Sequence, residues 1–219
     1  MGLIYFHEGN NEKARRLFDR CTDVDSKEDG AYFGRAAISI EERDYKAAIE
    51  EMNNLLKIDP KNQEAHFLLA GLHVGLNQLK EATESYERIL VLNPENREAR
   101  LFLATLYAQQ RRFDQAIKAV QELLKRDPDL AVGHYYLGHI YMEMNRLEKA
   151  KQELHQTLAK DPEFIPAMFD LATVLEQESR YSRALSLYRR ILRQQPNSSR
   201  AWANIGRLYL VTDKPKSAE

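Results

Sequence analysis

Five of the seven prolines, Pro60, Pro94, Pro128, Pro162 and Pro196, stand at one interval of 34 residues. Alanine recurs at that interval from Ala14 through Ala48, Ala82, Ala116, Ala150 and Ala184 to Ala218. A third column holds only small residues: Gly2, Ala36, Ala70, Ala104, Gly138, Ala172 and Gly206. Arg35, Leu69, Leu103, Leu137, Leu171 and Ile205 precede its last six members. Independent columns sharing one period along the whole chain identify a tandem repeat, and a repeat unit too small to bury its own faces must stack.

Inside a unit the apolar spacing is helical. His66, Leu69, Ala70 and His73 fall at i, i+3, i+4 and i+7. The break Gly75-Leu76-Asn77-Gln78 follows, and then a second stripe of Leu79, Ala82, Tyr86, Ile89 and Leu90. Asn93-Pro94 ends that stripe, because proline lacks the N–H a helix needs and disfavours helix at the residue before it. Asn62, Asn96 and Ser198 stand where the next helix needs a cap, and Glu64 and Glu98 suit its positive first turn. Each unit is therefore expected to be an antiparallel helix pair, with the small residues at points where two backbones approach closely.

The period, Trp202 with Ile205-Gly206 and Tyr209, Leu137-Gly138 with Tyr141, and the alanine and proline columns together resemble the tetratricopeptide repeat family. The resemblance covers the whole chain. It implies an all-α fold, a right-handed superhelical solenoid of antiparallel helix pairs whose first helices line a concave groove. The frames are 1–28 (partial), 29–62, 63–96, 97–130, 131–164, 165–198 and 199–219 (partial), forming one continuous solenoid domain cut from a longer array or stacking end to end. His66, Arg100, His134 and Met168 depart from the aromatic seen at Tyr32 and Trp202. Arg35 departs from the leucine column and Ser26 from the proline column.

Chemistry is sparse. There is no phosphate-cradling glycine loop. Cys21 is the one cysteine, so no internal disulfide or thiolate metal site can form; its column (Leu55, Ile89, Leu123, Thr157, Ile191) places it in the core. His66 and His73 share a face but lie about 10 Å apart along it, too far for one metal. Glu41-Glu42 and Glu50-Glu51 read as solvated faces. No enzyme activity, cofactor or metal is expected. With 32 basic and 33 acidic residues the net charge is -1, which argues against a nucleic-acid surface. No run approaches the roughly 18 apolar residues of a membrane span. Met1–Glu8 lacks the pattern of a signal peptide. A cytoplasmic location is favoured, and a periplasmic one would need a leader or lipid anchor already removed.

The groove is more informative. At about 100° per residue, the side chains opposite the core stripe of the first helices include Gly34, Leu68, Phe102, Tyr136, Asp170 and Asn204. Ala37, Gly71, Thr105, His139, Thr173 and Arg207 lie beside them. A flanking column, Phe33, Phe67, Leu101, Tyr135, Phe169 and Ala203, stands about 110° from the stripe centre, an angle that serves either the groove or packing between repeats. The candidate binding face is thus Phe33, Phe67, Leu68, Phe102, Thr105, Tyr135, Tyr136, His139, Phe169, Asp170, Asn204 and Arg207, suited to an apolar or aromatic segment. By resemblance, two known groove chemistries can be compared. The carboxylate clamp of chaperone-tail receptors is missing, because Phe33, Ala37, Leu68, Glu98 and Phe102 occupy its places. An asparagine ladder would need more than Asn204.

Charge is uneven. Residues 1–60 hold 13 acidic and 9 basic residues, whereas 179–212 hold seven arginines and no acid. Counter-charges on neighbouring repeats, an acidic partner, or head-to-tail contact between chains would each account for this. The chain is expected to be a non-catalytic protein–protein interaction scaffold or adaptor. The alternatives are an accessory region of a larger enzyme or envelope-assembly lipoprotein, and a module that self-associates through its ends.

Overall fold

The structure, a computed structural model, describes residues 1–212. Those residues form thirteen helices and no strand. They divide into two compact units, Met1–Leu106 and Tyr107 onward. The first contains α1 (Gly2–His7), α2 (Asn11–Val24), α3 (Asp29–Glu41), α4 (Tyr45–Ile58), α5 (Gln63–Gly75), α6 (Leu79–Leu92) and most of α7 (Arg97–Gln109). The second contains α8 (Phe113–Arg126), α9 (Ala131–Glu143), α10 (Leu147–Lys160), α11 (Ile165–Gln177), α12 (Tyr181–Gln194) and α13 (Ser199–Thr212). Ala218, the last member of the alanine column, lies outside the described residues.

In the first unit α3 packs on α4 and α5 on α6, and α2 and α4 each pack on the helix that follows. In the second, α9 packs on α10 and α11 on α12, while α8, α10 and α12 pack on α9, α11 and α13. Ala14, Ala48, Ala82, Ala116, Ala150 and Ala184 are all 0 % exposed, so nothing larger fits where the helices cross. At Gly138 even a Cβ would meet the Leu154 side chain at 2.9 Å.

The turns repeat as strictly as the helices. First helices end on a residue in the left-handed region: Gly9, Arg43, Asn77, Arg111, Asn145 and Ser179, all with φ between 55° and 74°. Second helices end in a loop where Asp25, Asp59, Asn93 or Asp161 accepts a hydrogen bond from the backbone N–H two residues on. The Asn62, Asn96 and Ser198 side chains then cap α5, α7 and α13.

The variable aromatic column is resolved by one carbonyl. Trp202 Nε1 donates to Pro196 O at 2.9 Å, and the imidazole Nε2 of His134 and of His66 meets Pro128 O at 3.0 Å and Pro60 O at 3.2 Å. Arg100 donates to Pro94 O and the Tyr32 hydroxyl to Ser26 O. Unlike side chains share one task, donating to the carbonyl six residues back. Met168 has no donor, and there Arg190 of α12 donates to Pro162 O instead.

Arg35, in the leucine column, is accommodated by charge pairing. Its guanidinium meets Glu51 Oε2 at 2.8 Å and Thr22 Oγ1 at 3.1 Å and lies 4.8 Å from the Tyr32 ring. Glu51 is therefore not part of a solvated face as expected: its side chain is 20 % exposed and faces a buried cation. Cys21 also departs from expectation, being exposed rather than in the core.

Candidate functional site

In the first unit the predicted residues gather around Tyr86 of α6, which is 4 % exposed. Phe67 of α5 meets its ring edge-on at 5.6 Å, and Phe102 of α7 stacks on it at 5.3 Å with 17° between planes. Phe102 is 40 % exposed, so one face of an ordered aromatic ring is presented to solvent. Burial, with the Glu98 charge adding to it, pushes the Tyr86 phenol up to about 12, so it stays neutral and apolar in character. Leu68 is half-buried against the neighbouring core cluster, and Gly71 beside it has no atom within 4 Å of where a Cβ would stand. Thr105 is half-buried, with its hydroxyl donating to Leu101 O at 3.1 Å.

Phe33, whose column could serve either the groove or packing, is half-buried against the core cluster of α3–α5. One expectation is corrected in this unit. Gly34 is buried beneath Phe18 of α2, whose ring a Cβ would meet at 2.3 Å. The cause is Phe18 itself: a large ring at the end of its column reaches across to the next first helix.

In the second unit Tyr135, Tyr136 and His139 of α9 form one aromatic group. The ring of Tyr135 lies 5.6 Å from that of Tyr136, 6.1 Å from that of His139 and 5.1 Å from that of Phe164. Asp170 of α11 joins it, its Oδ2 3.0 Å from His139 Nδ1. That hydrogen bond raises the His139 pKa above its ordinary value against the opposing effect of burial. Burial and the Asp170 charge push the Tyr135 phenol up to about 12. On α13, Arg207 pairs with Glu176 Oε2 and lies 3.5 Å from Asn204 Oδ1. The Tyr188 hydroxyl donates to the other Glu176 oxygen at 2.7 Å. Phe169 takes the packing role that its angle left open: it is 6 % exposed, against Tyr188 and beneath the Arg200 guanidinium.

Phe18 and Tyr188 are residues that sequence reasoning overlooked here, and Tyr86 was read only as part of the second-helix stripe. They share a second-helix column with Met52, Val120 and Leu154. Rings among the aliphatic members of that column were the available signal, since a ring extends past the aliphatic positions and a tyrosine hydroxyl needs a partner. What these arrangements offer chemically is ordered aromatic surface beside fixed hydrogen-bonding groups. Among the described residues no three of His, Cys, Asp or Glu stand together as a metal would require, and no helix is long and apolar enough to cross a membrane.

Two family models, both described as tetratricopeptide repeat, match the sequence. One matches residues 39–90 and 78–135, and the other 1–63, 135–199 and 169–219. Among curated proteins none matches significantly. Solved structures with the same fold include MamA, at 23 % identity and TM-score 0.62, covering 78 % of this chain and 94 % of that one. PilW, a type IV pilus biogenesis factor, matches at 17 % identity and TM-score 0.69, covering 92 % and 94 %. YrrB, described as having an unusual peptide-binding site, matches at 16 % identity and TM-score 0.59, covering 85 % and 96 %. At such identities the likeness is one of fold. Repeat period, helix pairing and the family matches agree: the chain belongs to the tetratricopeptide repeat family.

Proposed function

We propose that the chain is a protein-interaction scaffold whose first helices offer a preformed aromatic face to an apolar or aromatic segment of a protein or peptide partner. The observation that carries this reading is Phe102, exposed to solvent yet held by stacking on a buried tyrosine. A free aromatic side chain loses rotamer freedom on binding. One already fixed loses little, so burial of its open face translates more fully into affinity. Leu68, with the open notch at Gly71, extends the apolar surface in the first unit. In the second unit Tyr135, Tyr136 and His139 offer a face with Asp170, Asn204 and Arg207 as polar flanks. That YrrB is described as binding a peptide on this fold is consistent with the reading.

The test is selection of peptides from a random displayed library on the immobilised chain. Enrichment of aromatic or aliphatic sequences on wild type, lost on Phe102→Glu or on Tyr136→Glu, is expected. Phe102→Glu gives up the stack on Tyr86, whereas the ring contact of Tyr136 is with Tyr135 of its own helix, so helical circular dichroism of each variant accompanies the selection. Identical enrichment on wild type and both variants would contradict the reading.

A further inference from the structure

We propose that the cleft between α10 and α12 binds an acidic segment of a partner protein, taking one apolar side chain flanked by two carboxylates. The cleft has a volume of about 290 Å³. Leu171 and Leu175 of α11 and Leu187 of α12 form its apolar floor, and Lys151, His155, Arg180 and Arg183 form its rim. The proposal rests on this geometry and is independent of the aromatic face on the first helices.

Charge decides the chemistry of the occupant. Lys151 is held by Glu148 at 2.8 Å and Glu178 at 2.5 Å, and Arg180 meets Glu178 at 3.2 Å, so these four cancel. Arg183 is exposed and faces no carboxylate among the described residues. Arg190 lies seven residues further along α12, nearly in line with Arg183 along the helix, and donates to Pro162 O in the loop that follows α10. That bond uses one of five guanidinium donors and leaves it a full positive charge. Arg193, exposed, continues the basic stripe. No acidic residue occurs between 179 and 212 to neutralise it.

The equivalent cleft three repeats earlier shows that this is not a generic property of the fold. Between α4 and α6 the same register is rimmed by Glu81 and Glu84, with Arg88 beside them, and floored by Leu56, His66, Leu69 and His73. The fold supplies a cleft at both places. Only the one on α10–α12 combines an aliphatic floor with surplus positive charge.

Spacing defines the ligand. Seven residues of helix separate Arg183 from Arg190 by about 10 Å. In an extended peptide alternate side chains share one face, so residues i, i+2 and i+4 point the same way and the outer two stand about 13 Å apart. The segment that fits is therefore extended, with acidic residues at i and i+4, each within reach of a long arginine side chain, and an apolar side chain at i+2 inserted over Leu171, Leu175 and Leu187. Carboxylates meeting guanidinium forks form charge-assisted pairs, and the apolar insertion supplies burial.

The experiment is fluorescence anisotropy of a labelled peptide carrying glutamate-glycine-leucine-glycine-glutamate in a glycine-serine background, titrated with the full chain. Saturable binding is expected, weakened about tenfold or more by Arg183→Glu and separately by Ser186→Trp, which fills the cleft without changing charge. Arg183 and Ser186 are exposed, so both variants should melt as wild type does. Phe102→Glu and Tyr136→Glu should bind this peptide as wild type does, which separates its fate from that of the first-helix face. Absence of binding would overturn the proposal. So would equal affinity for a peptide with glycine replacing leucine, since charge alone would then account for binding, as would equal competition by single-stranded DNA. Unchanged binding by Ser186→Trp would place the peptide elsewhere. Self-association of the chain that Arg183→Glu abolishes would make a second copy the occupant.

Discussion

Arg35 occupies a position that the repeats following it fill with leucine or isoleucine, and the structure shows what makes this possible. The guanidinium has Glu51, Thr22 and Tyr32 around it, and the Arg35 side chain is only 10 % exposed. Removing one partner should strand the other in a poorly hydrated place. Glu51→Leu or Arg35→Leu alone should each lower unfolding free energy by roughly 1–3 kcal/mol, the range for stranding a buried hydrogen-bonding group. The double substitution restores the aliphatic column and should recover most of that loss. Urea unfolding of the four proteins of this cycle checks it, and additive single effects would contradict the pairing. His139 carries a pH dependence. Its folded pKa is raised by Asp170, so the stabilisation is complete below the unfolded value of about 6.5 and is lost as pH rises through the folded value. Asp170→Asn should therefore cost more stability at pH 5.5 than at pH 8. An NMR titration of the His139 ring should show its midpoint fall in that variant, and an unchanged midpoint would remove Asp170 as the cause.

At the scale of helices, much was legible because the repeat makes local signals reinforce one another. Proline after Asp59 or Asn93, a cap at Asn62 or Asn96 and alanine at each crossing mark ends and contacts that hydrogen bonds and burial then display. What was not legible lies between columns rather than within them. Nothing in the spacing of α3 announces that Gly34 accepts the ring of Phe18, sixteen positions earlier on another helix. The angle of Phe169 leaves groove and packing equally open, and it is buried because Tyr188 and Arg200 close over it. Side-chain reach, not helical phase, decides such cases. Gly34→Ala should destabilise the protein by roughly 1–3 kcal/mol through overpacking. In a Phe18→Leu background the same change should cost clearly less, because the shorter side chain vacates the space. Equal cost in both backgrounds, measured by thermal unfolding, would show that the ring is not what Gly34 accommodates.

Across the molecule, one 34-residue plan is varied at the positions that do not hold the helices together. The alanine crossings stay constant and fully buried, whereas the first-helix face and the clefts between second helices change chemistry from repeat to repeat. Conserving the frame while varying the surface lets a stack of identical folds present different faces to different partners. The central claim is that an ordered aromatic face on the first helices is where a protein partner is held. Its most direct test is affinity capture from the lysate of the source cells, with wild type beside Phe102→Glu, Tyr136→Glu and Arg183→Glu, read by mass spectrometry. The account predicts at least one protein held by wild type and by Arg183→Glu but lost from Phe102→Glu or Tyr136→Glu. The same proteins captured in equal amount by wild type and both aromatic variants would contradict it.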